Sequence, residues 1–184
     1  EDALFTNKDK MQKVEGFFKN QVQVFDAASQ LVNDLHNELD YLSKEAEANN
    51  ALNQIRLITM TDHGFDYMKI PTLNDLIRTV HEGHDRLLEA KREELLEIVR
   101  QCMEAVHSAG NSNSDSKEII TRADTFYSQY KTKIADLKSL ALLDGLVPPM
   151  IQYKDTTVDR IEGLNRVKEV PQPSTERETA GIYG

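Results

Sequence analysis

The sequence predicts an all-α fold, an elongated antiparallel helical bundle with a long coiled-coil-like helical hairpin, and four rows of apolar residues predict it. From Met11 the residues Val14, Phe18, Gln21, Phe25, Ala28, Val32, Leu35, Leu39 and Leu42 follow by alternating steps of three and four, and only Gln21 is polar. Such a row marks one face of a long helix. Between Thr72 and Ala109 there is no proline and one glycine, Gly83, and two adjacent rows recur, Leu95, Ile98, Cys102, Ala105, Ala109 and Leu96, Val99, Met103, Val106. Two rows side by side suit a helix that lies along others and buries a broad seam. After a polar stretch, Ile120, Ala123, Tyr127, Tyr130, Ile134, Leu137 and Ala141 repeat the pattern.

Taken in order, Asn7 caps a first helix over residues 8–44, and Phe17, Val24 and Leu31 widen its stripe. Gln21 interrupts the stripe, and Val22 beside it takes its place at the seam. Past Glu45 the register fails and a new row begins, Ala48, Leu52, Ile55, Ile58. This predicts a turn or a kink near Asn49 and Asn50 and a second helix over 48–60. Thr61 to Pro71 carries Phe65, Tyr67, Met68 and Ile70, an apolar connection that folds back on the bundle end. Pro71 or Thr72 then opens the helix over 72–109, because proline is tolerated in a first turn. Glu82 with Arg86, Glu89 with Arg92 and Glu97 with Arg100 give it a solvated face.

Gly110 to Ser116, GNSNSDS, reads as a hinge, and Asp115 with Glu118 as the start of a helix over 116–143. Its arms are therefore antiparallel neighbours. Leu73, Leu76, Ile77 and Val80 overhang the shorter arm and need cover from the first two helices and the Phe65 to Ile70 loop. Asp144-Gly145 and Pro148-Pro149 read as a stop. A last helix over 156–169 carries Val158, Ile161, Leu164 and Val167.

Composition narrows the function classes. A chain of 184 residues suits a single elongated module over 1–170 with a disordered tail over 171–184. Aromatics at 7%, no tryptophan and 29% charged residues favour thin helical packing. The net charge of −9, with no third of the chain rich in Lys and Arg, argues against nucleic-acid contact. No apolar run reaches the about 18 residues of a membrane span. Cys102 is the only cysteine, so no internal disulfide forms and a cytoplasmic location is expected. The missing initiator Met and the polar end, VPQPSTERETAGIYG, suggest a segment of something larger.

The constellations that could carry chemistry each compete with a packing role. His81 and His84 in HEGHD stand three apart, with Glu82, Asp85, Asp62 and His63 as further donors, yet the metalloprotease pattern places its second histidine four residues on. Glu104 and His107 form one Glu-x-x-His, whereas di-iron bundles use two. Cys102 has no activating base nearby in sequence and reads as a small buried residue. GNSNSDSK lacks the phosphate-loop spacing. Tyr127 and Tyr130 suit core packing better than base stacking. No catalytic, cofactor-binding or metal residue is therefore assigned.

Two stretches, FFKNQVQVFDAA from Phe17 to Ala28 and YMKIPTLNDLI from Tyr67 to Ile77, are similar to the helical region downstream of the P-loop domain in BrxC, the large ATPase of bacterial BREX phage-defence systems. The order of elements resembles that region from about residue 8 to 143. The resemblance implies a spacer or docking region of a much larger defence protein, with no ATP-binding residue to carry over. The expected function is a non-catalytic scaffolding and interaction region without cofactor, engaging protein partners, other domains of a parent protein or a second copy. The alternatives are a stand-alone cytosolic coiled-coil adaptor and, from another class, a metal-dependent enzyme around His81, His84 and Glu104.

Overall fold

A computed structural model of the chain describes residues 2–60, 67–110 and 114–169. Among them the chain forms α-helices and short 3-10 turns, with no strand, so the all-α bundle read from the four rows is what is found. The expected tail at 171–184 and the loop residues Asp62, His63 and Phe65 lie outside the described residues. No helix among the described residues is long and apolar enough to cross a membrane. The described residues divide between two compact units, one within 1–90 together with 139–141, the other within 91–138 and from 142 on.

The first unit opens with α1, Asp2–Asp34, which ends ten residues before the expected end at 44. A 3-10 turn, His36–Glu38, separates it from α2, Leu39–Leu42. The chain then turns through Ser43 to Glu45, where extended backbone at Glu45 starts α3, Ala46–Thr59. The break expected at Asn49 and Asn50 is thus several residues early, and both asparagines are helical. The row that begins at Ala48 is nevertheless the buried one: Ala48, Ala51, Leu52 and Ile55 are all inside. They pack with Ala28, Val32, Leu35 and Leu42 from α1 and its continuation.

Next comes α4, Ile70–Gly110, preceded by the 3-10 turn Tyr67–Lys69 and carrying Pro71 in its first turn as expected. Its residues up to Ala90 belong to the first unit. Leu73 and Val80 are buried and Leu76 and Ile77 half-buried in that unit's core, so the overhanging side chains are covered. Gly83 sits where α4 passes closest to α3, with Ala48 occupying the space a side chain would need. Arg86 reaches Glu45 at 3.2 Å rather than Glu82.

In the second unit the rest of α4 is followed by a 3-10 turn, Ser114–Ser116, and by α5, Lys117–Asp136. Pairing runs antiparallel: His107 meets Asp124 at 2.7 Å, and Arg92 donates to the carbonyls of Ile134 at 3.1 Å and Leu137 at 2.8 Å. Arg92 therefore caps α5 instead of pairing with Glu89. The Ser116 hydroxyl donates to the Gly110 carbonyl, closing the hinge at α4's last residue. Of the predicted surface pairs on α4, Arg100 with Glu97 is present at 2.6 Å, and Arg100 also takes Glu104.

α5 stops at Asp136, not at 143. Leu137 is extended, and a separate short helix, α6, runs Leu140–Asp144. Pro148 and Pro149 do not stop a helix; they begin one. α7 runs Val147–Glu169, starting nine residues before the expected position at 156. Both prolines fall in the first turn, where the missing N–H groups would have had no intrahelical acceptor.

Candidate functional site

The row of α1 that is buried at Gln21 and again from Ala28 onward is open from Met11 to Phe18. Met11 is 65% exposed, Val14 52%, Phe17 60%, Phe18 43% and Val22 51%. The same periodicity therefore serves two ends: the C-terminal half of α1 joins the core with α3, and the N-terminal half presents apolar side chains to solvent. Phe17 and Phe18 meet edge to face, with ring centroids 6.2 Å apart. Together these side chains form an apolar patch along about three turns of α1.

Beside this face a groove of about 450 Å³ lies between α1 and the start of α4, lined by Phe17, Gln21, Val24, Met68, Ile70 and Asn74. Gln21 is buried, and its Oε1 has no hydrogen-bond donor among the described residues. So Gln21 keeps its place at the seam and Val22 does not replace it, the reverse of the sequence expectation.

Two buried polar clusters lie elsewhere. In the first unit, Glu38 is 3% exposed, and its carboxylate accepts from the backbone N–H of Leu140 at 2.6 Å and of Ala141 at 3.1 Å. His84 Nε2 stands 3.5 Å from the same carboxylate, too far for a well-formed hydrogen bond. Sequence reasoning missed Glu38. The signal was there: Phe17, Val24 and Leu31 recur every seven residues, and Glu38 is the next member of that row.

In the second unit, the Tyr127 hydroxyl donates to the Met150 carbonyl at 2.8 Å, and the Cys102 thiol approaches that carbonyl at 3.9 Å. Tyr127 is fully buried, and Phe126 stacks on Tyr153 with centroids 3.8 Å apart. Tyr130 packs on Phe126 and carries Lys133 over its ring. These rings are committed to one another and to the helix backbone. Burial pushes the Cys102 thiol and, more strongly, the Tyr127 phenol above their ordinary values. A thiol held protonated is a poor nucleophile.

Among the described residues the metal constellations do not assemble. His81 is exposed while His84 is buried, and Glu82 and Asp85 are on the solvent side. Glu104 is held by Arg100, and His107 by Asp124. No group of three or more His, Cys, Asp or Glu among the described residues is placed to hold a metal ion. No protein-family model, no curated protein and no solved structure matches the chain.

Proposed function

We propose that this chain is a non-catalytic helical scaffolding and interaction region, and that it belongs to a larger ATPase of the BREX phage-defence kind. The observation that carries the interaction role is the open stripe Met11, Val14, Phe17, Phe18 and Val22, continuous with a stripe that is core further along the same helix. Exposing apolar surface in that register is unfavourable unless another surface covers it. The buried polar groups support the same reading, because Glu38, Tyr127 and Arg92 all spend their hydrogen bonds on helix ends or helix backbone.

The attachment to a BREX-like ATPase rests on the resemblance of Phe17 to Ala28 and of Tyr67 to Ile77. It carries two consequences. Calorimetric titration with Mg-ATP should give no heat of binding and no phosphate release; a micromolar affinity would overturn the non-catalytic assignment. The native reading frame should be several times longer, with a phosphate-loop motif upstream. A frame that closes around this segment alone would favour the stand-alone adaptor.

A further inference from the structure

We propose that the open face of α1 pairs with the same face of a second copy of this chain, antiparallel, about a two-fold axis level with Phe17. The inference rests on the interaction role above and names its partner.

Charge complementarity argues for it. Along α1 the exposed residues Lys8, Glu15, Lys19 and Asp26 fall on one flank of the apolar face, within about 40° of each other at 100° per residue. In an antiparallel pair related by a two-fold axis, each flank faces its own counterpart. Centring on Phe17 sets each residue against the one whose number brings the sum to 34. Lys8 then lies opposite Asp26 of the second copy, and Glu15 opposite Lys19, each twice. Rim charges of this kind set orientation and register more than affinity.

The apolar side chains agree with the same centre. Met11, Val14, Phe18 and Val22 of one helix fall at levels between those of the other, so the two rows interleave rather than collide. The exposed parts of Met11, Val14, Phe17, Phe18 and Val22 amount to roughly 500 Å² per copy, so pairing hides about 1,000 Å² in total, where specific interfaces begin. That size predicts a reversible dimer rather than an obligate one.

The test is sedimentation of the full chain over a concentration series. The expected result is a monomer–dimer equilibrium. Val14→Asp, at a residue 52% exposed, should raise the dissociation constant about tenfold or more while leaving the monomer's thermal midpoint unchanged. Glu15→Lys should weaken the dimer and Glu15→Lys with Lys19→Glu should restore it, because only the antiparallel register pairs residue 15 with residue 19. A chain that stays monomeric throughout, a dimer indifferent to Val14→Asp, or a charge swap that fails to rescue would each overturn the proposal. None of these would touch the non-catalytic reading, which falls only on nucleotide binding.

Discussion

Glu38 accepts a hydrogen bond from the backbone N–H of Leu140 at 2.6 Å, across 102 residues of sequence. Its other oxygen takes the Ala141 N–H at 3.1 Å, so a side chain from the turn after α1 accepts from the first two backbone N–H groups of α6. Ser139, Leu140 and Ala141 belong to the same compact unit as Glu38. Charge-assisted bonds to backbone N–H groups are among the stronger ones, and an orphaned buried partner is costly. Glu38→Gln keeps the shape but loses the charge and turns a donor toward donors. It should cost about 2 to 3 kcal/mol in urea unfolding. Glu38→Ala should cost more, because two N–H groups then lack an acceptor. An unchanged midpoint in both would mean that water already satisfies Leu140 and Ala141.

Val99 and Leu96 offer a test of the register of α4. Both belong to the same predicted row, yet Val99 is fully buried and Leu96 is 42% exposed. Val99→Asp places an unpaired charge in the second unit's core and should destabilise by about 3 to 5 kcal/mol. Leu96→Asp should stay within about 1 kcal/mol. Thermal melts of the two variants side by side decide it, and equal losses would mean that the face is buried more broadly than these exposures say.

The helices were legible where the signal is local. α4 begins and ends within two residues of its predicted bounds because Pro71, Gly110 and an unbroken apolar period all sit in the sequence. The breaks at Leu35 to Glu38 and Leu137 to Ser139 were not, since neither holds proline or glycine and both are tied to the Glu38–Leu140 contact or to Arg92 reaching the end of α5. Pro148 and Pro149 misled because a proline reads as a stop or as a start, and only the following helix tells which. Periodicity also shows that a face is apolar without saying what covers it, which is why Met11 and Ala28 look alike in sequence and differ in burial. Of the candidate site, the residues were visible and their exposure was not.

Gly83 lies in the middle of α4, where alanine would ordinarily favour the helix by about 1 kcal/mol. A side chain there would collide with the Ala48 side chain of α3. Gly83→Ala should therefore destabilise, by about 1 to 3 kcal/mol, as overpacking in a close contact does. Ala48→Gly alone should also be destabilising, through chain entropy. Together the two should cost less than their sum, since the second removes the atom that the first strikes. Additive losses in a double-mutant cycle would place the two helices further apart than the structure does.

The Cys102 thiol and the Tyr127 phenol give the second unit a sensitivity to alkali. Burial holds both protonated above their ordinary values. In the unfolded chain they lose their protons near pH 8.5 and 10, so above those values the unfolded state carries fewer protons than the folded one and stability falls as pH rises. Below that window the contribution is fully present. Urea midpoints taken at pH 7 and pH 10.5 should therefore drop for the wild type, and the drop should be smaller in Tyr127→Phe, which has no phenol to ionise. At pH 7 that variant should itself lose about 1 kcal/mol, the worth of the hydrogen bond to the Met150 carbonyl. The comparison between the two proteins, and not the drop alone, carries the test. An equal drop in both would mean that water reaches the Tyr127 hydroxyl.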